Sequence, residues 1–165
     1  NELPESQLDR FLLKEVLTYP APVEEVEILD RLEHHSISRP LGAELRVGLG
    51  DLRRAQRAVE SIYLDPAVKR YAVAIVQATR PPSDALGELG RFLTAGASPR
   101  ASIAFAQVAR VLALLAGRSY ATPDDVRRLR YEVLRHRVLL NYEGLADGIR
   151  PEQIIDTVFE AVPTP

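Results

Sequence analysis

The chain has no cysteine, methionine or tryptophan, and only three histidines among its 165 residues. Without thiols, disulfides, thiolate metal sites and a cysteine nucleophile are excluded. Three histidines leave little from which to build an imidazole-held metal site, and none is expected. Long hydrophobic runs are missing as well. The longest, residues 103–116, is interrupted by Gln107 and Arg110 and falls short of the ~20 residues a membrane span needs. Charge of one sign is not in excess either: a net charge of −2 gives no general attraction to nucleic acid or anionic lipid. There is no GxxxxGK loop ending in Ser or Thr and no apolar run ending in paired acids, the parts that cradle phosphates and hold magnesium. No secretory signal pattern opens the chain, which starts at Asn1 and holds no Met. It reads as a piece of something longer.

What is present fits an ordinary globular domain, with 46% hydrophobic and 27% charged residues. Residues 11–17 (FLLKEVL) form an apolar run suited to a strand, whose sheet partners would have to lie upstream of residue 1. From residue 21 the periodicity turns helical. Pro22 followed by Glu24, Glu25 and Glu27 marks a helix start, because proline tolerates the first turn and acids suit the positive end of the dipole. Val26, Leu29 and Leu32 make its stripe, and residues 36–50, with Pro40 and three glycines, read as loop. Leu52, Ala55, Val59, Ile62 and Tyr63 predict a second helix. Asp65-Pro66 opens a third, carrying Val68, Tyr71, Ala72, Ile75 and Val76. Residues 81–95 read as a polar loop containing a short turn near residues 86–92. The longest helix is predicted from Pro99 to about Gly117, apolar on almost every face and central to a bundle. Thr122-Pro123 and Pro151 open two more. The fold class is mainly α, about six helices after a strand remnant.

Two arginine-bearing segments carry the chemistry. In residues 96–102 (GASPRAS), Gly96 lets the backbone turn, Ser98 is the N-cap, Pro99 takes the first helical position and Arg100 falls in the first turn. The helix dipole disfavours a cation there, so Arg100 benefits from an anionic partner, and a phosphate would also take up the free N–H groups. In residues 3–11 (LPESQLDRF), spacing alone allows Arg10 no more than a surface ion pair with Asp9 or Glu5.

Together these segments resemble MoxR-type AAA+ ATPases. The first is similar to that family's arginine-finger box and the second to its sensor-2 motif. Residues 71–80, the run from Gly117 to Val126, residues 133–137 and the ending at 162–165 extend the likeness. The resemblance implies an α-helical lid domain over residues 21–165, preceded by the end of the AAA+ α/β core over residues 1–20. It implies Arg10 as a finger reaching the neighbouring subunit's nucleotide, with Asp9 orienting it and Phe11 anchoring the loop. Arg100, with Gly96, Ser98 and Pro99, would bind the γ-phosphate in the same subunit. ATP and Mg2+ would be cofactors of the whole protein, a cytoplasmic chaperone-like ATPase, and would not be bound by this segment alone. The partners implied are the upstream core, neighbouring subunits of a hexameric ring and proteins with von Willebrand factor A domains. The basic stretch Arg127, Arg128, Arg130, Arg135, His136 and Arg137 reads by default as a solvated face, with Arg135 and Arg137 as candidates for an inter-subunit contact. The rival reading is a non-enzymatic helical adaptor or DNA-binding domain using residues 122–137.

Overall fold

A computed structural model of the chain describes residues 3–33 and 47–165. It divides into two compact units: residues up to Lys14 together with Arg57–Pro165, and Glu15–Gln56. Residues 3–14 fall in the unit that holds the helical bundle.

The smaller unit contains helix α2 (Pro22–Glu33) and most of α3 (Leu49–Ser61), neither of which buries a residue. Both starts are capped by acids, the first as the sequence suggests and the second by Asp51, which the sequence reading did not single out. Glu24 accepts from the Ala21 amide at 2.7 Å, and Asp51 accepts from the Gly48 amide at 3.0 Å. Val26, Leu29 and Leu32 are exposed. Of the predicted loop at 36–50, residues 36–46 lie outside the described residues. Within 47–50, helix α3 already begins at Leu49.

The larger unit starts with a single turn, α1 (Glu5–Leu8); residues 11–14 of this unit and residues 15–20 of the smaller one run without strand structure. The strand expected there is not formed. A strand is stabilised by a partner ladder, and none is offered to it among the described residues. The bundle proper comprises α4 (Pro66–Ala78), α5 (Pro99–Leu115), α6 (Pro123–Arg128), α7 (Arg130–Leu134), α8 (Tyr142–Ala146) and α9 (Pro151–Ala161). A 3-10 segment (Asp84–Phe92) leads into β1 (Leu93–Ala95), which pairs antiparallel with β2 (Leu139–Leu140).

Helix α5 is the centre, with α4, α6 and α7 packed against it. It buries Ala101, Ala104, Phe105, Val108, Ala109 and Ala113 while Ile103 and Leu115 stay exposed. Its apolar residues therefore serve one broad face rather than all faces. The alanines let neighbouring backbones come close, and Phe105 fills the space between. Ile154, Ile155, Val158 and Phe159 of α9 close the core. The Phe159 ring stands edge-on to Tyr71 and Phe105, with centroids 6.3 and 6.2 Å away, a favourable quadrupole geometry. Beyond α5, Gly117 takes φ 71°. The amides of Gly117 and Arg118 then reach the Leu114 and Ala113 carbonyls, at 2.9 Å each. That is the paired bonding of a Schellman stop, and it needs the left-handed residue glycine supplies.

The helix predicted from Pro123 breaks at Leu129 (φ −111°, ψ 33°) into α6 and α7. The turn lets Tyr131 and Arg130 both reach Asp156 of α9, at 2.7 and 3.1 Å.

Candidate functional site

Residues 4–11 wind tightly. Amides of Asp9, Arg10 and Phe11 bond back to the carbonyls of Glu5, Gln7 and Leu8. That winding separates the two charged residues of the box: Asp9 faces the bundle and Arg10 faces solvent.

The Asp9 carboxylate accepts bonds from three residues. Ser98 Oγ donates to it at 2.9–3.1 Å, Arg100 Nη1 at 3.0 Å and Arg137 Nε at 3.0 Å. Ser98 is also the N-cap of α5, accepting the Arg100 amide at 3.2 Å, and Pro99 holds the first helical position. The anion that the first turn of α5 called for is thus met, in this chain, by Asp9. Burial acts to raise the Asp9 pKa. The bonds from Arg100, Ser98 and Arg137 outweigh it and hold the carboxyl below its usual range. Arg100 remains half exposed, its side chain 52% accessible.

Arg137 overturns the expectation of a solvated face. Its side chain is 2% exposed, and all five N–H donors of the guanidinium are committed. Nε bonds Asp9 Oδ1. Nη1 bonds the carbonyls of Leu12, at 3.3 Å, and Val133. Nη2 bonds the carbonyls of Asp9, at 3.0 Å, and Phe11, at 2.6 Å. No donor is left for a neighbouring subunit. Arg135 is likewise engaged inside the chain, with Glu152 at 3.1 Å and the Lys14 carbonyl at 3.3 Å. Arg127 bonds the Tyr71 hydroxyl and the Phe159 carbonyl, and Arg130 bonds Asp156. Arg128 is exposed. A stretch with most of its arginines engaged internally, split over two short helices, does not make the recognition helix of the rival reading.

His136 is buried, with Nε2 3.1 Å from the Phe11 carbonyl. Burial, reinforced by Arg137 and Lys14, pushes its pKa down, so the neutral ring donates from Nε2 to that oxygen. The Phe11 side chain is 55% exposed. It is the Phe11 carbonyl, not its ring, that is anchored, because Arg137 and His136 converge on it from the bundle.

Gly96 acts by closeness rather than by turning. A Cβ there would lie 2.2 Å from the Thr79 carbonyl oxygen. This tight crossing lets the buried Thr79 hydroxyl accept the Ala97 amide at 2.9 Å and Arg80 Nε reach the Ala97 carbonyl at 2.8 Å. The loop that launches α5 is fixed by these bonds.

The result is a recess of about 200 Å³ lined by Asp9, Arg10, Leu12, Arg100, Ile103, Ala104, Gln107 and Arg137. A larger one, of about 610 Å³, lies beside Ser6, Gln7, Arg10 and Phe11. Among the described residues no grouping of acids and histidines could hold a metal ion, and no helix is long and apolar enough to cross a membrane. The sequence singled out Arg10, Arg100 and Asp9. It missed Arg137 as their support, because the partner lies 128 residues away and no local pattern signals it.

The AAA lid domain family model matches residues 91–158. The chain is 40% identical over 164 residues to "Chaperone MoxR1" of Mycobacterium tuberculosis, covering 99% of this chain and 42% of that protein. It is 33% identical to "Protein MoxR" of Methylorubrum extorquens, covering 99% and 51%. A solved structure of a Cytophaga hutchinsonii protein assigned as an ATPase superposes with a TM-score of 0.88 at 31% identity, over all of this chain and 50% of that one. The chain therefore spans about half the length of these relatives. Lid match, relatives and fold agree, and the chain resembles the C-terminal region of the MoxR-type AAA+ ATPases.

Proposed function

We propose that this chain supplies the phosphate-contacting arginines of a MoxR-type ATPase, with Arg10 as a finger reaching a neighbouring subunit's nucleotide and Arg100 meeting the γ-phosphate. The observation that carries the reading is the contrast within the box. Asp9 is bonded by three residues, whereas Arg10, one residue on, is exposed and makes no side-chain hydrogen bond or ion pair among the described residues. A bare guanidinium on a braced loop suits a ligand that arrives from outside. Phosphoryl transfer spreads charge over the equatorial oxygens, and an arginine supplied in trans is worth on the order of a thousandfold or more in turnover. Magnesium and the phosphate cradle would come from the rest of the protein, because the sequence here holds no GxxxxGK loop ending in Ser or Thr and no apolar run ending in paired acids.

The wider reading is a cytoplasmic, ring-forming, hexameric ATPase that uses ATP-driven lid motion to remodel client proteins, working with von Willebrand factor A domain partners. The name of the Mycobacterium tuberculosis relative as a chaperone supports the client-remodelling part. The test is turnover of the full-length ATPase. Arg10→Ala and Arg100→Ala should each nearly abolish it, and wild-type rates in both would end the proposal.

A second reading of Arg100 is favoured by one observation. Arg10 and Arg100 line the same recess and are linked through Asp9. A neighbour's phosphate that reaches Arg10 would then lie beside Arg100, and both would act in trans. In mixed rings, a cis Arg100 impairs the subunit that carries the substitution, and a trans Arg100 impairs its neighbour.

A further inference from the structure

We infer that Arg137 is the positioning residue of Arg10, holding the finger by the backbone on either side of it. The inference rests on the reading of Arg10 as the finger. One Arg137 Nη2 nitrogen bonds both the Asp9 and the Phe11 carbonyls, which flank Arg10 in the chain. The same guanidinium takes the Leu12 carbonyl and the Asp9 carboxylate. Because a guanidinium is planar and rigid, acceptors bonded to it are fixed relative to one another as well as to it. The plane is itself anchored, since Nη1 also bonds the carbonyl of Val133, one turn back in α7. The attachment continues along the chain. His136 reaches the Phe11 carbonyl, and the Lys14 amide donates to the Glu132 carbonyl at 2.8 Å. Residues 9–14 are therefore laid along residues 132–137, with the Arg10 side chain left outward.

The arrangement has a functional consequence. A long exposed arginine gains little from reaching a phosphate unless its Cα is held, because a misplacement of about 1 Å costs on the order of a hundredfold in rate. Arg137 supplies that hold without touching the reacting atoms. Asp9 ties the same knot to Arg100, so both arginines share one foundation in the bundle. A lysine at 137 keeps the charge opposite Asp9 but cannot fork to the flanking carbonyls. It separates positioning from simple charge neutralisation.

The experiment uses the full-length ATPase. Arg137→Lys should lower kcat about a hundredfold with KM for ATP little changed. Adding subunits that cannot hydrolyse their own ATP but carry native Arg10 should restore part of the turnover, because the Arg137→Lys subunits then receive an intact finger. Arg137→Gln, which leaves Asp9 without its buried partner, should behave the same way with a larger loss. Wild-type turnover in Arg137→Lys overturns the inference. So does a loss that finger donors fail to restore, or failure of both variants to assemble, since either outcome makes Arg137 a support of the fold alone. If Arg10→Ala itself turns over normally, the finger reading fails first. If Arg10→Ala is dead and Arg137→Lys is normal, only this inference fails.

Discussion

Gly96→Ala should unfold the chain more readily and disable its site by one methyl group. The new Cβ would sit 2.2 Å from the Thr79 carbonyl oxygen, 2.5 Å from its carbon and 2.7 Å from the Arg80 Cα, where real Cβ contacts stay beyond 3.0 Å. These are backbone atoms, so no rotamer change relieves the overlap and the two segments must part by roughly 1 Å. Parting them breaks the buried Thr79–Ala97 bond and strains the Arg80–Ala97 bond. An unsatisfied buried polar group costs about 1–3 kcal/mol and overpacking about as much again, so about 3 kcal/mol is expected in total. With a urea slope of about 1–3 kcal/mol/M, the midpoint should fall by more than about 1 M. Gly90→Ala is the control. Its nearest neighbour would be the Leu86 Cβ at 3.6 Å, an ordinary contact, and it should stay within about 0.5 kcal/mol of wild type. Turnover of the full-length protein should fall too, because residue 96 sets where α5 and Arg100 begin. A Gly96→Ala midpoint equal to that of Gly90→Ala would refute the argument.

Asp125→Ala should cost about 3 kcal/mol or more in denaturant titration, because it strips three roles at once. Asp125 pairs both oxygens with Arg118, at 2.6 and 2.9 Å, and caps α6 through the Thr122 amide and hydroxyl. Asp9 predicts an acid limb. Its folded pKa lies below the ordinary value of 3.8, so its contribution is complete above that value and is lost as pH falls through the lower folded one. Stability measured against pH should drop less steeply below about pH 4 in Asp9→Asn than in wild type. Arg10→Ala should leave the unfolding free energy from urea titration within about 0.5 kcal/mol of wild type, since the side chain has no described partner to lose.

The helix starts were legible because the same device recurs. Ser98-Pro99 and Asp65-Pro66 place a capping side chain before a proline, and both caps bond as expected, to the Arg100 and Ala67 amides. The apolar residues of α9 were readable from their spacing for the same reason: periodicity is a local property. The failures are non-local. Residues 11–17 have the composition of a strand, but strand formation depends on a partner the pattern cannot supply. The break at Leu129 goes with the non-local bonds of Arg130 and Tyr131 to Asp156 of α9, which no local pattern signals. β2 and α8 are short elements shaped by Phe92, whose carbonyl accepts the Asn141 amide at 2.7 Å. At the site, the sequence identified Asp9, Arg10 and Arg100 but could not say which of the neighbouring Asp9 and Arg10 turns outward. It took Arg137 for a surface charge because its five acceptors come from residues 9–12 and 133, brought together only by folding.

The central claim is that Arg10 acts across a subunit boundary, and mixed-ring turnover tests it most directly. Arg10→Ala subunits, inactive alone, are titrated with subunits that bind but cannot hydrolyse ATP and carry native Arg10. The account predicts that turnover reappears and passes through a maximum at intermediate mixing ratios. Activity that stays at zero at every ratio, or an Arg10→Ala ring that is fully active without mixing, would contradict it.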